Sequence, residues 1–109
     1  MDPITNKEDF YYYRAKFYFQ RKDFTKAIYE FEKGLRINAD SIVILYELAM
    51  CYMELGNYQK AIELFQKVKR VAPFSIHAVN SSEILVELNK KFKKVKRSIS
   101  SKNISNPEF

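Results

Sequence analysis

The sequence predicts an all-α protein: two antiparallel helical hairpins followed by one long C-terminal helix. Three observations carry that prediction. Apolar residues recur at helical spacing along most of the chain, in segments parted only by short polar breaks. Glycine and proline are scarce, two and three residues in 109, while good helix formers abound. The pattern also repeats itself. Tyr12, Ala15 and Tyr18 return as Tyr46, Ala49 and Tyr52, and Lys26-Ala27-Ile28 returns as Lys60-Ala61-Ile62. Phe31, Lys33 and Arg36 likewise return as Phe65, Lys67 and Arg70.

Residues 1–6 read as a lead-in, and Thr5 with Glu8 fits a capping box that opens a first helix running from Lys7 to Gln20. Asp23-Phe24 turns the chain into a second helix, Phe24 to Ile37, with Ala27, Ile28, Phe31 and Leu35 on one stripe. Asn38 to Ser41 is a turn ending in a capping serine. Gly56-Asn57 divides the third and fourth helices, and Pro73 follows the fourth. Alanine lets two helix axes approach while large neighbours fill the grooves beside it. The expected packing positions are therefore Ala15, Tyr18, Ala27 and Phe31 in the first hairpin, then Ala49, Tyr52, Ala61, Phe65 and Pro73 in the second. A last helix over 75–98 has Ile76, Val79, Leu85, Leu88, Phe92 and Val95 as its apolar positions, and Leu85, Leu88, Phe92 and Val95 are expected to cover the open side of the stack. Residues 99–109 lose the period and are expected to form a disordered tail.

An offset of 34 residues, small residues at the helix crossings and a proline after the second helix resemble the tetratricopeptide repeat. The resemblance runs from Glu8 to Phe74 and gives two repeats, 7–40 and 41–74. The first copy departs from the pattern at Arg14, Lys22, Gly34 and Ala39. The resemblance implies a right-handed superhelical array in which the first helix of each hairpin lines a concave groove. Positions one turn from the packed alanines would then face a ligand: Tyr12, Lys16, Phe19, Val43, Tyr46, Glu47, Met50 and Met53, with His77 and Asn80 extending the row. Aromatic and methionine side chains there would offer an adaptable apolar surface to an extended or helical peptide. Co-chaperones of this class clamp a C-terminal carboxylate with lysine, arginine and asparagine. Here Glu47 occupies a clamp position and would repel a carboxylate, so a peptide-binding adaptor without the clamp is the expectation from that subclass.

A narrower resemblance lies in Pro73-Phe74-Ser75-Ile76, Val79-Asn80-Ser81 and Leu85, together with Ala49-Met50-Cys51-Tyr52 and Ala61, Phe65, Lys69 and Arg70. These stretches are similar to the repeat subunits of the anaphase-promoting complex, the cell-division-cycle group. Ala72, Ser75 and Ser82 depart from that pattern. The resemblance implies a cell-cycle scaffold subunit of a ubiquitin-ligase assembly that self-associates or pairs with other repeat subunits.

The net charge of +6 includes a run of Lys90, Lys91, Lys93, Lys94, Lys96 and Arg97 on the last helix. Such a patch could dock an acidic partner, nucleic acid or a membrane surface. A solvated helix face is the commoner role, and without interleaved exposed aromatics for base stacking, nucleic acid and membrane are disfavoured as partners. One Cys and one His, with no glycine-rich phosphate loop and no ligand spacing, predict no catalytic site, no metal and no cofactor. Glu30/Glu32 and Glu47/Glu54 are expected to be ordinary helix-surface residues, and Cys51 a small apolar one. A single cysteine, with no leader and no apolar run long enough to span a bilayer, fits a cytoplasmic or nuclear protein.

Overall fold

The computed structural model of the chain describes residues 7–104, and their side chains except those of Phe92 and residues 94–104. The expected Thr5 cap lies outside the described residues. Five helices follow one another: α1 (Lys7–Gln20), α2 (Phe24–Ile37), α3 (Ile42–Glu54), α4 (Tyr58–Val71) and α5 (Ile76–Ile104). α1 packs on α2 and α3 on α4, α2 and α3 join the two hairpins, and α4 carries α5. The principal extents are 69, 30 and 21 Å.

Local chemistry sets each boundary. The side chains of Asp23, Ser41 and Asn57 accept from the backbone N–H groups of Lys26, Ile44 and Lys60, satisfying donors that the first helical turn leaves free. Ser75 does the same for Ala78, and its hydroxyl donates back to the carbonyl of Ala72 at 2.8 Å. α1 and α3 both end in a Schellman motif. Asp23 N–H reaches the Tyr18 carbonyl and Lys22 N–H that of Phe19; Asn57 and Gly56 bond to Tyr52 and Met53 in the same way. The residue at the bend needs positive φ, which Gly56 adopts freely at 82° and Lys22 adopts at 62° against the repulsion of its own Cβ.

The alanines are the crossing points. Ala15, Ala27, Ala49 and Ala61 are each fully buried, as are Phe31 and Phe65, and Tyr18 and Tyr52 pack against them half-buried. Phe31 and Phe65 anchor two neighbouring clusters bridged by Tyr52 and Leu64, each ring contributing about 1.5–3 kcal/mol of burial. Gly34 has a separate reason to lack a side chain: Ile44 Cδ1 lies 2.6 Å from where its Cβ would stand. Ile44 thus seats itself in a notch on α2.

The structure corrects several expectations. Pro73 is exposed and packs no helix; it only ends α4. Leu85 and Leu88 of α5 are buried against the second cluster, where they were expected to cover the stack, and the small Ala78 and Ser81 are buried with them while Ile76 and Val79 are 65% and 52% exposed. The side chains of Phe92 and Val95 lie outside the described residues. α5 also continues to Ile104 where the sequence suggested an end at Ser98 and a disordered tail, because no glycine or proline interrupts 98–104. Residues 105–109 lie outside the description. Glu30 is no surface residue: it is 4% exposed and bound by Arg14, which accounts for the departure of Arg14 from the repeat pattern. Glu32 accepts a hydrogen bond from the Tyr52 hydroxyl at 3.2 Å, tying the two hairpins together.

Candidate protein-interaction groove

The positions expected to face a ligand lie on α1, α3 and the start of α5. Two pairings organise them. Lys16 Nζ of α1 meets Glu47 Oε2 of α3 at 3.1 Å, with the Tyr12 phenol close enough for Glu47 to push up its pKa after burial has done so. Further along, Tyr46 sets its ring edgewise against His77 at 5.2 Å and Phe65 at 5.5 Å, and hydrogen-bonds with Asn80. Burial first, and Glu47 second, raise the Tyr46 pKa as well. Met50 and Met53 stand half-buried on the second cluster.

The surface they form is a row of shallow depressions. One of about 180 Å³ lies between α1 and α3, against Tyr12, Tyr13 and Val43. A second, about 490 Å³, holds Lys16, Phe19, Phe24 and Glu54. The third, about 300 Å³, lies between Met53 and the Ile84, Leu88 and Lys91 side of α5. Cys51 lies on the buried face of α3, its thiol pushed up to about 12 by burial and then by Glu47. It is a packing residue with no thiolate character at neutral pH. Among the described residues no cluster of three or more His, Cys, Asp or Glu could hold a metal ion.

The basic run is only partly within the description. Lys90, Lys91 and Lys93 are exposed, but Lys90 is 4.0 Å from Glu87 and Lys91 lies over the Tyr58 ring. The side chains of Lys94, Lys96 and Arg97 lie outside the described residues.

A second surface went unnoticed in the sequence. Phe10, Tyr13 and Phe17 form an aromatic stripe on α1, 39%, 67% and 53% exposed, with the guanidinium groups of Arg14 and Arg21 over Phe10 and Phe17. The repeat offset contained the signal. Phe10, Arg14 and Phe17 stand where Ile44, Leu48 and Cys51 stand in α3, the buried face by which α3 receives α2. α1 has no such helix before it within the described residues, so the equivalent face is bare.

The family model for anaphase-promoting complex, cyclosome, subunit 3 matches residues 2–68. The chain belongs to this family. Solved structures with the same fold include MamA 41-end from Desulfovibrio magneticus RS-1, with a TM-score of 0.74 and 22% identity over 85% of this chain and 51% of that one. A crystal structure of MamA gives a TM-score of 0.64 and 24% identity, over 88% of this chain and 60% of that one. At these identities the likeness is one of fold, and the chain spans 51–60% of the structures it matches. No curated protein matches its sequence significantly. This member of the subunit 3 family is a tetratricopeptide-repeat protein with two hairpins and a long fifth helix. No described helix is long and apolar enough to cross a membrane.

Proposed function

We propose that the chain is a non-catalytic scaffold module of an anaphase-promoting-complex-type ubiquitin-ligase assembly, and that its groove receives an extended or helical segment of a protein partner. The Lys16–Glu47 pair carries this reading. It neutralises the one cation a carboxylate clamp could use, leaving Phe19, Met50 and Met53 as the anchors on offer. Such a groove favours an apolar, uncharged segment over a free C-terminus. The purified chain is expected to bind other helical-repeat subunits of that assembly, and Met50→Glu to lose the binding with its melting temperature preserved. Absence of any interaction with those subunits at tens of micromolar would refute the assignment.

The aromatic stripe favours a second contact, either self-association or docking of another repeat subunit on α1. An exposed row of three rings is more than a solvated end of a stack needs. Tyr13→Lys is expected to abolish concentration-dependent association in sedimentation velocity. The basic run of α5 is the weaker anchor, since Glu87 and Tyr58 already engage two of its three described lysines.

A further inference from the structure

The other end of the first hairpin carries a feature that neither the groove nor the aromatic stripe uses. Lys7 and Tyr11 of α1 and Lys33, Arg36 and Ile37 of α2 enclose a solvent-open cleft of about 340 Å³. Among its described lining residues three are cations and none is a carboxylate. Glu8 and Asp9 line the depression toward α3, and Glu8 accepts from Asn38.

Helix dipoles explain part of the cluster. Lys33 and Arg36 sit near the C-terminal end of α2, where cations are favoured. Lys7 sits in the first turn of α1, where a cation is disfavoured, and it adds a third positive charge to a cleft that already holds two. The ammonium of Lys33 stands 4.2 Å from the Tyr29 ring and 5.5 Å from the ring of Tyr11, which lines the cleft. The second hairpin provides an internal contrast. It keeps Lys67 and Arg70 at the equivalent positions but sets Ser41 and buried Leu45 where Lys7 and Tyr11 stand. The cationic enclosure is therefore particular to the first repeat.

The geometry points to this cleft as a binding site for a phosphorylated side chain of a protein partner. A phosphate dianion would relieve the mutual repulsion of the three cations, with the Arg36 fork and two ammonium groups as donors, while Tyr11 and Ile37 receive the carbon stem. A concave cleft takes a projecting group, whereas a flat anionic membrane would need a flat basic face. This inference extends the reading of the chain as a protein-interaction module, but its test is independent of the groove.

Inorganic phosphate is titrated into the full chain at pH 7.5, against sodium chloride at matched ionic strength, with backbone amide shifts as the readout. Saturable shifts confined to Lys7, Tyr11, Lys33, Arg36 and their neighbours are expected. A phosphoserine peptide is then compared with its unphosphorylated form and with phosphatidylserine vesicles. Binding of the phosphopeptide should be at least tenfold tighter than that of the plain peptide. It should fall at least tenfold in Arg36→Gln, whose exposed side chain makes loss of folding no concern, and in Lys33→Gln. Met50→Glu should leave it unchanged, so failure of the groove reading and failure of this one are distinguishable. Shifts spread over the whole basic surface, equal affinity in Arg36→Gln, or vesicle binding without phosphopeptide binding would each overturn the assignment.

Discussion

Replacing Glu47 by Gln and Lys16 by Met, singly and together, measures what the groove gains by closing its own charges. The two charged atoms are 3.1 Å apart, with side chains 28% and 18% exposed. At an effective dielectric of about 20 the bare attraction is about 5 kcal/mol. Desolvation of both groups and the ordering of a long lysine offset most of that, and fully exposed pairs retain only about 0.2–1 kcal/mol. A pair buried to this degree should show a coupling of about 1–2 kcal/mol. Urea unfolding of the four proteins gives it directly, as the amount by which the two single losses together exceed the double one. The m-value should stay constant across the set. Glu47 also raises the pKa of Tyr12, Tyr46 and Cys51, in each case second to burial. Glu47→Gln should accordingly move the alkaline tyrosine titration to lower pH, which a merely structural loss would not do selectively. With Lys16 released, the same variant should bind a C-terminal carboxylate in the groove more tightly than the native chain does. A coupling below about 0.3 kcal/mol, with no change in tyrosine titration, would show that the pair is solvated and does not set the character of the groove.

Three further outcomes follow from particular residues. Lys22→Gly should stabilise the chain by about 0.5–1 kcal/mol by relieving the φ of 62°, whereas Gly56→Ala should cost about 1 kcal/mol at its φ of 82°; thermal melts of both decide, and equal effects would be inconsistent with the turn geometry. Ser81 is fully buried against α4 with no partner for its Oγ among the described residues, so Ser81→Ala should raise stability by about 1 kcal/mol; a loss would mean the hydroxyl is satisfied. Cys51 ordinarily ionises near 9 and in the fold near 12, so its contribution to stability is complete below pH 9 and disappears as pH rises toward 12. The native thiol should resist alkylation at pH 8 and react on unfolding, and fast native reaction would contradict its burial.

The hairpins were legible because a repeat states its packing twice. Ala15 and Ala49, Ala27 and Ala61, Phe31 and Phe65 are small or large for the same steric reason in both copies, and all six are buried. The row proposed to face a ligand was named from the same spacing, since it fixes which residues lie one turn from a buried alanine. Glu30 was not, because nothing in its neighbours along the chain reveals that Arg14, sixteen positions earlier, would reach it on the adjacent helix. Leu85 and Leu88 were legible as the covering face of α5, but Ala78 and Ser81 were not, because hydropathy alone does not say that close approach to α4 selects a small pair over Ile76 and Val79.

What the sequence settled by itself was therefore local and periodic: where helices start, where short polar breaks part them, and which positions of each repeat must be small. What only the tertiary structure decided depends on distance between helices. It paired Lys16 with Glu47, left the Phe10–Tyr13–Phe17 stripe exposed, and brought Lys7 opposite Lys33 and Arg36. Charge and exposure are properties of neighbours, and neighbours across an antiparallel hairpin lie far apart along the chain.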